Sequence, residues 1–341
     1  MSQSQKFPYP LPAADLAEVV RRAEADLREL RGRNIFITGG TGFFGKWLLG
    51  TLLHASDELK LGLHVTVLSR DPARFVALHP GFGAHPALRF QAGHVAEFES
   101  DAEHYDFVLH AAADTTAITT GAQEEERSRA MIEGTRRMLA LARESGARRL
   151  LYVSSGAVYG AAAGKLSGAS ENDFAAAVPV TAYARAKREA ERLCGESGLD
   201  FVTARAFAFL GPHLPLDAHY AAGNFLRDAR GGGPIVVRGD GTAVRSYLYP
   251  TDLIVWLLRL LLRGERGRAY NVGSDEAVTT AELARRVAAA CPSAPEVRIE
   301  ASQPQGPQNI YLPDVTRART ELGLAVNVPL DEAIRRTLNF L

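Results

Sequence analysis

The chain has 341 residues, 46% of them hydrophobic, which suits one large α/β domain with a smaller lobe and excludes a disordered chain. Its 39 Lys+Arg balance 39 Asp+Glu. A net charge of zero leaves no electrostatic footprint for nucleic acid or an anionic membrane, so an anionic ligand must be held by a local arrangement.

Residues 1–12 contain three prolines and read as an arm. Leu16, Val19, Val20, Ala23, Leu27 and Leu30 recur at helical spacing and predict an amphipathic helix over 13–30. This helix precedes the first strand, so its stripe should pack on the main domain or on a partner subunit. The N-terminus has no apolar signal segment. The apolar stretch Leu253–Leu262 is interrupted by Arg259 and is too short to span a bilayer. No membrane association is expected, and a cytoplasmic location follows by default.

Strand and helix patterns then alternate. Strands are predicted at Asn34–Thr38, His64–Ser69, Leu88–Ala92, Phe107–Ala111, Leu150–Ser154 and Phe201–Ala206, with helices at about 43–54, 124–146 and 181–197. This alternation predicts βαβ units and a doubly wound parallel sheet of Rossmann type. After residue 212 the pattern loosens around Gly231-Gly232-Gly233-Pro234 and Gly239-Asp240-Gly241. The division is therefore an N-terminal arm and helix (1–30), a dinucleotide-binding domain (31–212) and a smaller C-terminal substrate-binding lobe (213–341), with chain crossings back to the main domain. Two cysteines, Cys194 and Cys291, give no disulfide framework, and nine scattered histidines give no metal-ligand spacing, so no metal is expected.

The first strand runs into Gly39-Gly40-Thr41-Gly42-Phe43-Phe44-Gly45, and Lys46 continues into the helix. Glycines in this context permit a tight turn and close approach of a pyrophosphate to the helix N-terminus. Gly39, Thr41, Gly42, Phe43, Phe44 and Gly45 are the cofactor-binding candidates. The second strand ends in Ser69-Arg70-Asp71. A carboxylate at its end would bind the adenosine ribose and favour NAD. Ser69 with Arg70 instead suits a 2′-phosphate, which predicts NADP, with NAD as the alternative if Asp71 reaches the ribose.

Ser155 follows the fifth strand, and 28 residues later comes Tyr183-Ala184-Arg185-Ala186-Lys187 at a helix start. Tyr and Lys four apart share a helix face, and an ammonium beside a phenol should lower its pKa from about 10. Tyr183 is then an acid/base for a hydroxyl proton, Lys187 tunes it, and Ser155 binds the same oxygen.

With these motifs in this order, residues 33–341 resemble the extended short-chain dehydrogenase/reductases, specifically the nucleotide-sugar epimerase, dehydratase and reductase group. The resemblance implies that Ala111, Ala112 and Ala113 lie beside the cofactor, with Tyr183 and Lys187. It implies that Asn224 and Arg245 contact the diphosphate of a nucleotide-diphosphate sugar, and that the chain forms a homodimer through the helices near 124–146 and 181–197. The group's 4,6-dehydratases carry an Asp-Glu pair where this chain has Gly156-Ala157, and its decarboxylases keep the Glu. His94 and Gln305-Gly306-Pro307 also depart from the group's usual residues. The expected activity is NAD(P)-dependent oxidoreduction at C4 of a nucleotide-diphosphate sugar, by a 4-ketoreductase or a 4-epimerase. The alternatives are a reductase of small non-nucleotide carbonyls and a catalytically silent NADP-binding Rossmann protein.

Overall fold

A computed structural model describes residues 9–100, 103–113, 121–301 and 309–341. The chain builds α1 (Ala13–Glu29), β1 (Asn34–Thr38), α2 (Phe43–Leu59), β2 (His64–Ser69), α3 (Pro72–Leu78), α4 (Pro80–Gly83), β3 (Leu88–Ala92), β4 (Phe107–His110), α5 (Ala122–Glu144) and β5 (Arg149–Ser155). Two 3₁₀ turns separate β5 from α6 (Ala182–Glu196) and β6 (Phe201–Ala206). Then follow α7 (Ala221–Arg230), β7 (Ile235–Val237), β8 (Val244–Arg245), α8 (Pro250–Arg263), β9 (Ala269–Val272), β10 (Val278–Thr279), α9 (Thr280–Ala290), β11 (Val297–Ile299), β12 (Ile310–Tyr311), α10 (Thr316–Leu322) and α11 (Leu330–Phe340).

Seven parallel strands form one sheet in the order β3-β2-β1-β4-β5-β6-β9. The chain order reverses between β1 and β4, which opens a crevice at the carboxyl ends of those strands. Helices cover the sheet in two apolar clusters, one holding α1, α2 and α8 and the other α5 and α6. The first six strands lie where the hydrophobic pattern places them, to within a residue at each end. The seventh, β9, comes from beyond residue 212. It lies on β6, and α8 before it packs in the same core as α2. The rest of the late chain forms a second cluster around α7, α9 and α11. There β8 pairs antiparallel with β10 and parallel with β12, setting Tyr311 beside Arg245.

All six stripe residues of the first helix are buried against α2 and α8. Its polar side is tied down as well. Asp26, 1% exposed, accepts from Arg259 Nε at 2.6 Å and Arg263 Nε at 3.2 Å. Asp15 accepts from Tyr249 Oη at 2.5 Å and Arg336 Nη1 at 2.9 Å, and Arg22 pairs with the fully buried Asp252. The helix thus packs on α2 and α8 of this chain and reaches α11 through Arg336. Residues 1–8 of the predicted arm lie outside the described residues. No helix among the described residues is long and apolar enough to cross a membrane.

Candidate active site

The cofactor candidates form a turn that side chains would block. Gly39 has φ +75°, and a Cβ there would stand 2.6 Å from the Ala111 backbone. A Cβ on Gly45 would collide with the Gly40 backbone. The β1–α2 turn therefore lies directly against the segment after β4, whose Ala111 and Ala112 N–H groups donate to Thr38 O and Oγ1, each at 3.2 Å. Ala113 next to them is exposed. Gly42 caps α2 without a side-chain hydrogen bond to the helix end, which leaves the first turn, from Phe43 and Phe44 to Gly45, open to an anion. Thr41 is half-buried at the turn's tip. This cradle fits a dinucleotide pyrophosphate.

At the end of β2, Ser69 is buried and accepts from the Asp71 N–H at 3.3 Å. Asp71 caps α3, its carboxylate accepting from Arg74 N at 2.9 Å. That role turns Asp71 toward the helix. Arg70 is exposed and has no carboxylate partner among the described residues.

Helix α6 begins at Thr181, whose hydroxyl accepts from Ala184 N at 3.1 Å. This cap sets Tyr183 and Lys187 on the helix face turned to the end of β5. Lys187 is 2% exposed and donates to Val153 O at 2.7 Å. Its ammonium lies 5.0 Å from the Tyr152 ring centre and 5.9 Å from that of Tyr183. Burial pulls Lys187 down to about 8, and nearby Glu191 opposes that shift. Burial also raises the Tyr183 phenol above its ordinary value, with the Ser155 hydroxyl working the other way. The depression expected from Lys187 is therefore not what dominates at Tyr183: the ammonium is directed at a backbone carbonyl, and desolvation of the phenol is the larger effect. Ser155 Oγ accepts from Ala157 N at 3.2 Å and lies 3.4 Å from Tyr311 Oη.

The residues expected from the resemblance divide. Arg245 stands over Tyr311, its guanidinium carbon 5.8 Å from the ring centre, while Nη1 donates to Val244 O at 2.8 Å and Asn309 O at 2.9 Å. It thus reaches the Ser155 group through Tyr311. Asn224 lies one turn into α7, and its Oδ1 accepts from Arg227 at 3.2 Å. The structure shows no contact from Asn224 to Ser155, Tyr183 or Lys187, but Tyr220 at the N-cap of its helix lies in the electrostatic neighbourhood of Tyr183. His94 instead organises the turn after β3, accepting from Glu97 N and Phe98 N at 2.9 Å each through its carbonyl. Gln305-Gly306-Pro307 lies outside the described residues.

Sequence reasoning missed three groups here. Tyr311 belongs to a two-residue strand that no periodicity reveals. Tyr220 has no motif around it. His110, whose neighbours were recognised, is fully buried between Thr38 Oγ1 at 2.8 Å and Thr135 Oγ1 at 3.2 Å. Burial and the Lys187 charge hold it down at about 3, so it is neutral. The polar partners of a buried strand-end histidine were the available signal.

The comparisons agree with this fold. UDP-glucuronic acid decarboxylase 5 of Arabidopsis thaliana is 27% identical over 341 residues, covering 98% of this chain and 94% of that protein. An epimerase from Methanothermobacter thermautotrophicus superimposes with a TM-score of 0.79 at 22% identity, over 94% of this chain and 95% of its own. UDP-glucuronic acid 4-epimerase from Bacillus cereus, solved in complex with NAD, gives 0.72 at 20% identity, over 90% and 98%. The sequence model of the NAD dependent epimerase/dehydratase family matches residues 35–273, and the chain belongs to that family.

Proposed function

We propose that the chain catalyses oxidoreduction at C4 of a nucleotide-diphosphate sugar, as a 4-ketoreductase or a 4-epimerase. The observation that carries this reading is the run of contacts that links Lys187 to Tyr183, Ser155 to Tyr311 and Tyr311 to Arg245 at the end of β5. Tyr183 holds or moves the proton of the sugar hydroxyl, and Ser155 binds the same oxygen. Lys187 fixes a positive charge under Tyr183 and would bind the nicotinamide ribose. The nicotinamide, when bound, accepts or returns the hydride. Arg245 would meet the diphosphate, with Asn224 on α7 assisting. The relatives named as decarboxylases do not set the reaction here, because Ala157 brings no carboxyl group to the site.

For the cofactor, Gly39, Thr41, Gly42, Phe43, Phe44, Gly45 and Ala111–Ala113 would hold the dinucleotide. The capping role of Asp71 and the unpaired Arg70 support NADP over NAD, and with it the ketoreductase over an enzyme that retains its cofactor. The reading includes a cytoplasmic homodimer through the outer faces of α5 and α6, which sedimentation velocity checks. The decisive experiment is a thermal-shift screen of nucleotide sugars with NADP or NAD present, followed by turnover assays on the hits. Turnover of a 4-keto or 4-hydroxy nucleotide sugar is the expected result. Stabilisation by no nucleotide sugar, with turnover of a small carbonyl, would replace the proposal.

A further inference from the structure

Below Ser155 and Lys187 lies a buried ionic assembly that the reaction as written does not use. Glu191 sits one turn after Lys187 on α6 and is 9% exposed. Ser154, the neighbour of Ser155, donates to Glu191 Oε1 at 2.5 Å. Arg205 on β6, 4% exposed, grips the same carboxylate: Nε lies 3.1 Å from Oε1, and Nη2 lies 2.7 Å from Oε2. Arg205 Nη1 donates to Tyr159 Oη at 2.9 Å, and Tyr159 donates to Asn271 Oδ1 on β9 at 2.7 Å. One carboxylate therefore ties β5, α6 and β6 together immediately behind the site, and the chain of bonds continues to the sheet edge.

Such a cluster is a poor way to gain stability. A buried ion pair loses hydration that its attraction only partly offsets, and apolar residues of similar volume often do as well. Its placement answers a different need. Lys187 is buried, and a lone ammonium in a dry site tends to lose its proton. The groups facing it are few. From α6 come Tyr183, Glu191 and Cys194, from β5 Tyr152, and from β4 the neutral His110. Arg205 on β6 stands behind Glu191. Of these, Glu191 is the group whose ordinary form is an anion.

We propose that Glu191 is a positioning residue: held by Ser154 and Arg205, it supplies the negative charge that keeps the Lys187 ammonium protonated and fixes the strand end that presents Ser155. Arg205 grips that carboxylate on one side and leaves Oε1 directed at Ser154. The inference rests on reading Lys187 as the lysine of the catalytic pair, but its test does not require turnover.

The full chain has five lysines, so selective ¹³Cε-lysine labelling gives a countable NMR spectrum, and Lys187→Arg assigns the signal. In the wild type the Lys187 signal should be that of an ammonium at pH 7. In Glu191→Gln its midpoint should fall by about one pH unit or more, a tenfold loss of proton affinity. Glu191→Asp, which keeps the charge, should restore most of the midpoint, and Ser154→Ala should leave it within about 0.3 units, since that bond carries no charge. Glu191→Gln strands the Arg205 guanidinium and can fail to fold. The double variant Glu191→Gln/Arg205→Met removes both charges, and its Lys187 midpoint should also fall. A neutral Lys187 in the wild type at pH 7 overturns the proposal without any variant. So does an unchanged midpoint in a folded single or double variant. With a nucleotide sugar that the wild type turns over, Glu191→Gln should lower kcat at unchanged KM and move the alkaline limb of the pH profile to lower pH. If the midpoint falls but no nucleotide sugar is turned over, the role of Glu191 stands and the substrate reading fails.

Discussion

At the cofactor end of the site the fit is made by backbone. Gly39 and Gly45 leave no room for a Cβ, and the helix α2 terminus is capped by a residue with no side chain. At the end proposed for the substrate, side chains arrive from distant parts of the chain: Tyr311 on β12, Arg245 on β8 and Tyr220 before α7. A ligand that every member of a family shares can be met by fixed N–H groups. A ligand that varies needs replaceable side chains on short strands and turns, because these change without disturbing the parallel sheet. Tyr183 and Lys187 stand at the seam, on α6 beside the end of β5.

The seam should give the largest effect. Tyr183→Phe removes the proton-transferring hydroxyl and should lower kcat by about 10²–10⁴-fold while cofactor binding persists. Activity within tenfold of wild type would place the acid/base elsewhere and break the division drawn above.

Lys187 tests what the buried half of the seam costs. Its pKa falls from 10.5 to about 8 through burial. A base whose folded pKa lies below its unfolded value destabilises the fold fully at pH values below the folded pKa, and the penalty fades as pH rises from about 8 to 10.5. Lys187→Met should therefore resist urea better than the wild type at pH 7, by roughly 3 kcal/mol less the loss of the Val153 hydrogen bond. The gap should narrow steadily above pH 8. Parallel unfolding curves with a pH-independent gap would show that the ammonium is not held at a cost.

The same contrast explains what was legible in the sequence. Gly39 and Gly45 were legible because close packing there tolerates no other residue, Gly42 because it completes their spacing before a helix, and the six stripe residues of the first helix because burial on one helix face imposes a period. Tyr183 and Lys187 were legible through a fixed spacing on one helix. Tyr311 was not: it is set beside Arg245 by a strand pairing across 66 residues of chain, and two residues carry no period. Asp15 and Asp26 lie off the apolar stripe, yet both are buried partners of Arg336, Arg259 and Arg263, arginines that arrive from α8 and α11, and no local pattern shows such pairs. Asp71 was ambiguous because the same residue can cap a helix or bind a ribose; it caps α3 through Oδ1, a contact that depends on the position of Arg74 N.

Arg70 probes whether the proposed cofactor end also uses a charged side chain. Charge-assisted hydrogen bonds to a 2′-phosphate contribute roughly 1.5–3 kcal/mol, about 10–150-fold in affinity. Arg70→Ala should weaken NADP by that factor and leave NAD within about twofold. Dissociation constants for both cofactors on both proteins decide it. If the wild type binds NAD as tightly as NADP, Arg70 does not select the cofactor and the epimerase becomes the better reading.

The smallest effect is expected at Tyr311, and it bears most directly on the substrate end. Its hydroxyl lies 3.4 Å from Ser155 Oγ, at the far limit of a hydrogen bond, while its ring packs on Phe207 with centres 4.8 Å apart. The ring is therefore fixed by packing, and the hydroxyl is left to a weak partner. Burial raises its phenol to about 12, so it is a neutral donor at working pH and does not compete with Tyr183 as a base. A donor so placed can serve a sugar hydroxyl beside the one that Ser155 holds. Tyr311→Phe keeps the ring and should raise KM for the nucleotide sugar by about 2–10-fold, the worth of one neutral hydrogen bond, with kcat changed less than about threefold. Tyr311→Ala also removes the surface on which Arg245 rests and should raise KM further. A fall in kcat of a hundredfold in Tyr311→Phe with KM unchanged would move Tyr311 from the substrate end into the proton-transfer group. The seam would then run through β12 rather than along α6.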